Sequence, residues 1–427
     1  MNVLYVVFKA LLGGHVLSAT TIAREMRRQG VNPVFAGGEG AMAARIRQEM
    51  PFEPVDIPLV HGLRETYFTW ASLRAVRQLR IVIREKGIDL VHAFDARSYM
   101  HCYLAALLEG VPVTCTLCGG VDPFYNLPRA PRIMVFSGEQ KAKMVERYGW
   151  PDERVELIRT RLDVSGILEG KDELSTQDLV EFGIDQSQPR IMMISSFDSS
   201  KIAAIHQVLG ASEILHRMGE SFQLVLIGGK GKLHEDAREL AGDINRRAGK
   251  ELIVFTGQMV GAYRLLKHAT VVLGVGRSAF EGMAFGHPTV IVGENGFAGI
   301  MEADRVETLG YYNFSGRNQT VPSGPEELAG FLASLLNNPE LRKRLGVFAR
   351  EFVKKEIDVR GGIGRIKEVY RQLGSRRLLF GKGGDVLSFL KCLVPVAMDN
   401  AYHTLKRAVY AARGERLSIS ADIERAP

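Results

Sequence analysis

The chain has 427 residues, of which 46% are apolar, 24% charged and 8% aromatic, a balance that excludes collagen-like, mucin-like and largely disordered proteins. Fifty-five Lys and Arg against 48 Asp and Glu leave a net charge of +7. That mild excess suits anionic small substrates or an anionic membrane surface at least as well as nucleic acid, and no Arg/Gly/aromatic nucleic-acid motif accompanies it.

The length predicts two or three domains, each with its own core. Val3–Val7 is too short for a signal-peptide core. No apolar run approaches the roughly 20 residues of a membrane span; the longest, Val386 to Ala397, is broken by Lys391 and Pro395. The expectation is a soluble, cytoplasmic chain, with a peripheral place at the inner face of the membrane as the alternative.

Short apolar runs alternate with segments of helical period, the pattern of βαβ units. Strands are predicted at Val3–Phe8, Pro33–Ala36, Leu90–Ala93, Val111–Thr116 and Ile133–Ser137, with helices at Ala19–Gln29, Leu73–Lys86 and Tyr99–Glu109. The helix from Leu73 sets Val76, Leu79, Val82 and Ile83 on one side, and Arg74, Arg77, Arg80 and Arg84 are read as a solvated face. The pattern lapses over the polar residues 171–188. It resumes with strands at Arg190–Ser195, Gln223–Ile227, Glu251–Thr256, Thr270–Gly274 and Thr289–Val292, and helices at Ala203–Met218, Leu233–Ala248 and Ser278–Phe285. The predicted class is α/β, two doubly wound Rossmann-like domains facing a cleft, with an extra C-terminal helical segment. The expected divisions are 1–170, a linker at 171–188, a second domain at 189–375 that ends in the helical Pro325–Gln372 region, and an amphipathic tail at 376–427.

The tail follows a hinge at Gly381–Gly384. Val386, Leu387, Phe389, Leu390, Leu393 and Val394 lead into Tyr402, Leu405, Val409 and Tyr410 at helical spacing, beside Lys406, Arg407 and Arg413. Residues 386–413 suit an anionic membrane surface; packing on the body of the protein or on a partner subunit is the alternative.

Gly13-Gly14-His15 separates the first strand from a helix, where glycines let a ligand approach the backbone and the helix start favours an anion; a tight turn explains the pair equally well. It is not G-x-G-x-x-G, and no acidic residue ends the second strand, which argues against a nicotinamide or flavin. Cys115 and Cys118 form a C-x-x-C with no second pair to complete a zinc site, so no metal or redox centre is expected. Gly274-Val275-Gly276-Arg277-Ser278 joins a strand to the helix that carries Glu281. The amides of Arg277 to Ala279, the Arg277 guanidinium and the Ser278 hydroxyl suit a diphosphate, and Glu281 suits the hydroxyls of a ribose; solvation of Arg277 and helix-dipole stabilisation by Glu281 are the plainer alternatives.

Residues 278–290, Ser-Ala-Phe-Glu-Gly-Met-Ala-Phe-Gly-His-Pro-Thr-Val, resemble the LEAMA-x-G-x-P-V stretch of family 4 retaining glycosyltransferases, which have the two-domain GT-B fold. Gly13-Gly14, Asp89–Ala93, Ile133–Gly138, Val155–Asp163, Ile194–Lys201 and Leu224–Gly229 are similar to further family segments in the same order, so the resemblance spans roughly 1–375. It implies transfer of a sugar from a nucleoside diphosphate sugar to a glycan or lipid-linked acceptor, with retention and with no bound metal or other cofactor. Lys201 matches the family's diphosphate-binding Lys, and Glu281 its ribose-binding Glu. Gly13 and Gly14 match the glycine loop that faces the donor. Three positions depart: Ser196 stands for the diphosphate Arg, Leu273 for a sugar-binding Glu, and Cys118 for a sugar-contacting His. Lys201, Gly276, Arg277, Ser278, Ala279 and Glu281 are therefore the candidate donor residues, joined by Gly13, Gly14 and Cys118. No catalytic base is assigned. The departures keep two alternatives open, a non-catalytic binding or assembly subunit and a nucleotide-sugar epimerase of the same fold.

Overall fold

The computed structural model describes residues 1–58, 72–119, 127–170, 174–320, 323–375 and 386–394, and beyond them 398, 401, 405 and 409. The expected hinge at Gly381–Gly384 lies outside these residues. The chain forms two compact units: Met1–Arg161 together with Val359 and the described residues after it, and Leu162–Asp358.

Unit 1 runs β1 (Asn2–Lys9), α1 (Gly14–Arg28), β2 (Asn32–Gly38), α2 (Ala43–Glu49), β3 (Phe52–Pro54), α3 (Ser72–Glu85), β4 (Leu90–Ala93), α4 (Ala96–Glu109), β5 (Val113–Leu117), β6 (Ile133–Val135), α5 (Gly138–Ala142) and β7 (Val155–Leu157). Its seven strands lie in the order β3-β2-β1-β4-β5-β6-β7, all parallel. Val3 to Val7 of β1 are wholly buried, as a central strand covered on both faces requires. α1 begins five residues before its predicted start. Its hydroxyl side chains caused the miss: Ser18, Thr20 and Thr21 donate to the carbonyls of Gly14, Val16 and Leu17, one turn back, and so sit in the helix at little cost. α4 starts under the Asp95 carboxylate, which accepts from the Ser98 amide, and stops at Gly110 with φ +67°.

Unit 2 runs α6 (Val164–Leu168), α7 (Thr176–Glu181), β8 (Arg190–Ile194), α8 (Ile202–Arg217), β9 (Gln223–Ile227), α9 (Lys232–Ala248), β10 (Ile253–Gly257), β11 (Val271–Gly274), α10 (Gly276–Ala284), β12 (Thr289–Gly293), β13 (Gly296–Ile300), α11 (Val306–Tyr311), α12 (Pro325–Asn337) and α13 (Pro339–Phe352). The strand order is β10-β9-β8-β11-β12-β13. β13 pairs antiparallel with β12 across the two-residue turn Glu294-Asn295. It was missed because its run, Gly-Phe-Ala-Gly-Ile, is short and rich in glycine.

Two segments fall elsewhere than the sequence periodicity put them. α14 (Val359–Ser375) returns to unit 1, where Ile363, Ile366, Val369, Tyr370 and Leu373 enter the core that α1 forms with Val3 and Tyr5. Tyr370 pins it there: its hydroxyl lies 2.6 Å from His92 Nδ1 on β4 and 3.2 Å from the Tyr5 hydroxyl on β1. Within 171–188, α7 is capped by Ser175, and Leu179 and Ile184 are buried with Met192 and Val225 in unit 2. An amphipathic period tells that a face is buried, not which sheet covers it.

Candidate donor-binding site

In a doubly wound sheet, ligands bind outside the strand carboxyl ends where the strand order reverses. In unit 2 that point lies between β8 and β11, which pair through Met193 and Leu273. The loop after β8 and the turn after β11 therefore flank one point, and they carry Lys201 and the 276–281 group.

The β11–α10 connection is a single residue, Val275. Gly276, with φ +49°, makes this abrupt entry into the helix. Leu273 is fully buried in the sheet between Met193 and Val290. Side chain 273 therefore belongs to the core.

The turn uses part of its own donor capacity. The Gly276 amide donates to the Phe314 carbonyl at 2.9 Å. The Ser278 hydroxyl accepts from the Val275 amide at 3.3 Å and donates to the Val275 carbonyl at 3.1 Å. Arg277 and Ser278 contribute the remaining first-turn amides, while Ala279 points its methyl into the core. Arg277 Nε donates to Glu281 Oε1 at 2.9 Å, one helical turn on, and the two side chains are 17% and 9% exposed. Burial raises the Glu281 pKa, and the Arg277 charge and hydrogen bond work against that shift. The guanidinium is thus aimed by a carboxylate.

After β8, Ser196 donates to the Asp198 carboxylate, which also accepts from the amide and hydroxyl of Ser200. Burial and these hydrogen bonds oppose one another at Asp198, and the bonds prevail, holding it below its ordinary range. Lys201 stands at the start of α8 with Nζ 3.2 Å from the Ser200 hydroxyl, part-exposed. Phe197 between them is left-handed, φ +56°, and buried, a strained conformation for an aromatic residue. Its ring meets His234 edge-on at 5.0 Å. Gly229, φ +87°, lies directly over both rings: a Cβ there would come within 2.5 Å of each.

Unit 1 has its own reversal between β1 and β4, and Gly13 and Gly14 lie beside it. Gly13 is extended and caps α1, Gly14 is helical, and neither has a positive φ. A Cβ on Gly14 would meet nothing within 4 Å, and one on Gly13 only the His15 ring at 3.5 Å. The fold therefore does not demand glycine at either position, and the tight-turn explanation is removed. His15 and Asp95, absent from the sequence-derived set, share this corner. Asp95 accepts from the amides of Phe8 and Ser98 at 2.8 and 2.7 Å, tying β4 to β1. Burial lowers the His15 pKa against the pull of Asp95, with Arg97 lowering it further. The signal was a His and an Asp each following a strand at the centre of the sheet.

Cys118 is part-buried, its thiol donating to the Thr116 carbonyl at 3.6 Å, and burial raises its pKa far above neutrality. Cys115 is fully buried. Among the described residues no group of three His, Cys, Asp or Glu is placed to hold a metal ion, and no helix is long and apolar enough to cross a membrane.

Two doubly wound units of this kind are the GT-B fold of glycosyltransferases. The model of Glycosyltransferase Family 4 matches residues 12–165, nearly all within unit 1. A glycosyltransferase from Rickettsia africae ESF-5 shares the fold at 16% identity and TM-score 0.67, covering 87% of this chain and 98% of that one. Anabaena Alr3699/HepE, solved with UDP-glucose, does so at 17% identity and TM-score 0.64, covering 87% and 100%. A protein described as a UDP-N-acetylglucosamine 2-epimerase, from Listeria monocytogenes, does so at 14% identity and TM-score 0.60, covering 87% and 96%. No curated protein sequence matches the chain.

Proposed function

We propose that the chain is a glycosyltransferase that binds a nucleoside diphosphate sugar in unit 2 and passes the sugar to a glycan or lipid-linked acceptor, with retention at the anomeric carbon. The observation that carries this reading is the β8/β11 reversal: the segment after β8 carries Lys201, and the turn after β11 leads into the Arg277–Glu281 pair. A departing diphosphate needs cations and amides fixed in advance. Lys201, Arg277 and the first amides of α10 supply them, with Arg277 taking the electrostatic part of the family's Arg at 196. Glu281, held by Arg277, takes the ribose hydroxyls through its other oxygen. In unit 1, Gly13 and Gly14 leave open backbone for a ligand, and Cys118 stands where the donor sugar is contacted in the family. The fold shared with Alr3699/HepE supports a nucleotide-sugar ligand.

A second reading, a nucleotide-sugar epimerase, is favoured by the Gly/Ser-rich β11–α10 turn without a second carboxylate, and by the fold shared with the Listeria protein. Both readings place a nucleotide in unit 2. The test is a thermal-shift panel of UDP, GDP, ADP and CDP, each with and without its sugar. A ligand at about 100 times its Kd stabilises by roughly 2.7 kcal/mol, a shift of about 5–10 °C for a unit of this size. One nucleotide giving that shift, lost in Glu281→Ala, supports donor binding, and product analysis then separates transfer from epimerisation. Silence at millimolar ligand overturns both and leaves the non-catalytic subunit.

A further inference from the structure

The helical layer on one face of the unit 1 sheet is apolar and basic on its outer side. α3, α4 and the helical residues 386–394 pack on this face, where Val76 and Leu79 of α3, Tyr99 and Tyr103 of α4, and Phe389 and Cys392 share one core. The Phe389 ring stacks on Tyr103 at 6.1 Å, and the Arg129 amide donates to the Ser388 hydroxyl at 2.8 Å, so residues 386–394 are docked. With Phe389 and Cys392 turned inward, the outer side presents Leu387, Leu390 and Val394, each half exposed or more. Met398, Leu405 and Val409 continue in helical geometry at the same spacing, Met398 and Leu405 each 67% exposed.

α3 in the same layer repeats the combination. Leu73 and Ile81 are 48% and 43% exposed, and Arg74 and Arg77 stand between them, exposed and, among the described residues, without an acidic partner. A merely solvated basic face needs no exposed Leu and Ile among its arginines. Such an interleaving fits the boundary of lipid headgroups and acyl chains.

We propose that the outer side of α3 and of residues 386–394, with Met398, Leu405 and Val409, is one docking face for an anionic lipid bilayer. Charge selects this occupant over a second copy of the chain. Arg74 and Arg77 of α3 and Lys391 of the docked helical residues are all exposed, so two such faces laid together would repel, whereas an anionic surface attracts both elements at once. The proposal goes beyond the donor chemistry and stands whether or not unit 2 turns over a sugar.

The test is co-sedimentation of the full chain with vesicles of phosphatidylcholine alone and of phosphatidylcholine with phosphatidylglycerol. Binding is expected for the anionic vesicles and should weaken as salt rises. Arg74→Gln with Arg77→Gln should weaken it about 25-fold, at about fivefold per charge. Leu390→Gln with Leu405→Gln should weaken it at least tenfold. These positions are exposed, and unchanged thermal melts confirm that the variants fold. Equal binding to neutral vesicles, loss of binding in the leucine pair alone, or no binding to the anionic vesicles would each overturn the proposal, and a dimer that the leucine pair dissociates would then give the face to a second copy.

Discussion

Arg277→Ala should destabilise unit 2 much more near pH 7.5 than near pH 5. The Arg277 and Glu281 side chains are 17% and 9% exposed and 2.9 Å apart, so solvent screens the pair little. Removing the guanidinium leaves a buried carboxylate without the cation beside it, and breaking a buried pair from one side costs about 3–5 kcal/mol. The carboxyl escapes part of that cost by taking a proton. Burial already sets its folded pKa above the unfolded value. Its contribution to stability is therefore fully present below the unfolded pKa and is lost as pH rises through the folded one. Without Arg277 the folded pKa climbs further, which steepens the loss between the two pH values. The expected cost is about 3 kcal/mol near pH 7.5 and about 1 kcal/mol near pH 5, where only a hydrogen bond and some packing are gone. For a unit of this size the former lowers Tm by roughly 6–12 °C. Glu281→Gln, which keeps the shape but leaves the Arg277 charge unpaired at 17% exposure, should also cost about 3 kcal/mol, with less pH dependence, and the double variant should be no worse than Arg277→Ala alone. Melts of the four proteins at both pH values close the cycle. An Arg277→Ala variant within about 0.5 kcal/mol of the parent near pH 7.5, or with equal losses at both pH values, would refute the buried-pair argument.

Three further substitutions test how the units are built. Tyr370→Phe removes the hydroxyl that satisfies His92 Nδ1 at 2.6 Å and should cost about 1–3 kcal/mol; an unchanged urea midpoint would mean that this bond does not hold α14. Burial pushes His92 down to about 3. Unit 1 should accordingly lose stability as pH falls from about 6.5 towards 3, because the unfolded chain takes the proton that the folded one refuses. Gly229→Ala, with φ +87° and a Cβ 2.5 Å from two rings, should cost about 2 kcal/mol or more. Gly14→Ala, which meets open space, should leave the melt within about 1 kcal/mol while reducing the response to the ligand. A Gly14→Ala melt that collapses would return that glycine to a structural role.

The fold was legible because it is written locally. The two runs of strand and helix, the buried character of β1 and β11, and the glycine-bearing turn before Glu281 all follow from residue type and period. What escaped is instructive in each case: α1 began early because its hydroxyl residues bond to their own backbone, and β13 because glycine hides a strand. The candidate site was legible as residue types at a turn, and no further. Period does not tell that Ser278 and the Gly276 amide close the turn itself, nor which strands cover position 273. Those facts depend on which strands pair, through Met193 beside Leu273 and Phe314 beside Gly276, and such partners are distant in the chain.

The sequence by itself determined the class of fold, the alternation of elements and the apolar faces, because these rest on neighbouring residues. Only the tertiary structure decided that α14 closes unit 1, that Arg277 is held by a buried Glu281, and that Gly13 and Gly14 are glycines the backbone does not require. The physical reason is common to all three: burial and partner choice are long-range properties, and free energy assigns them only once the chain has packed.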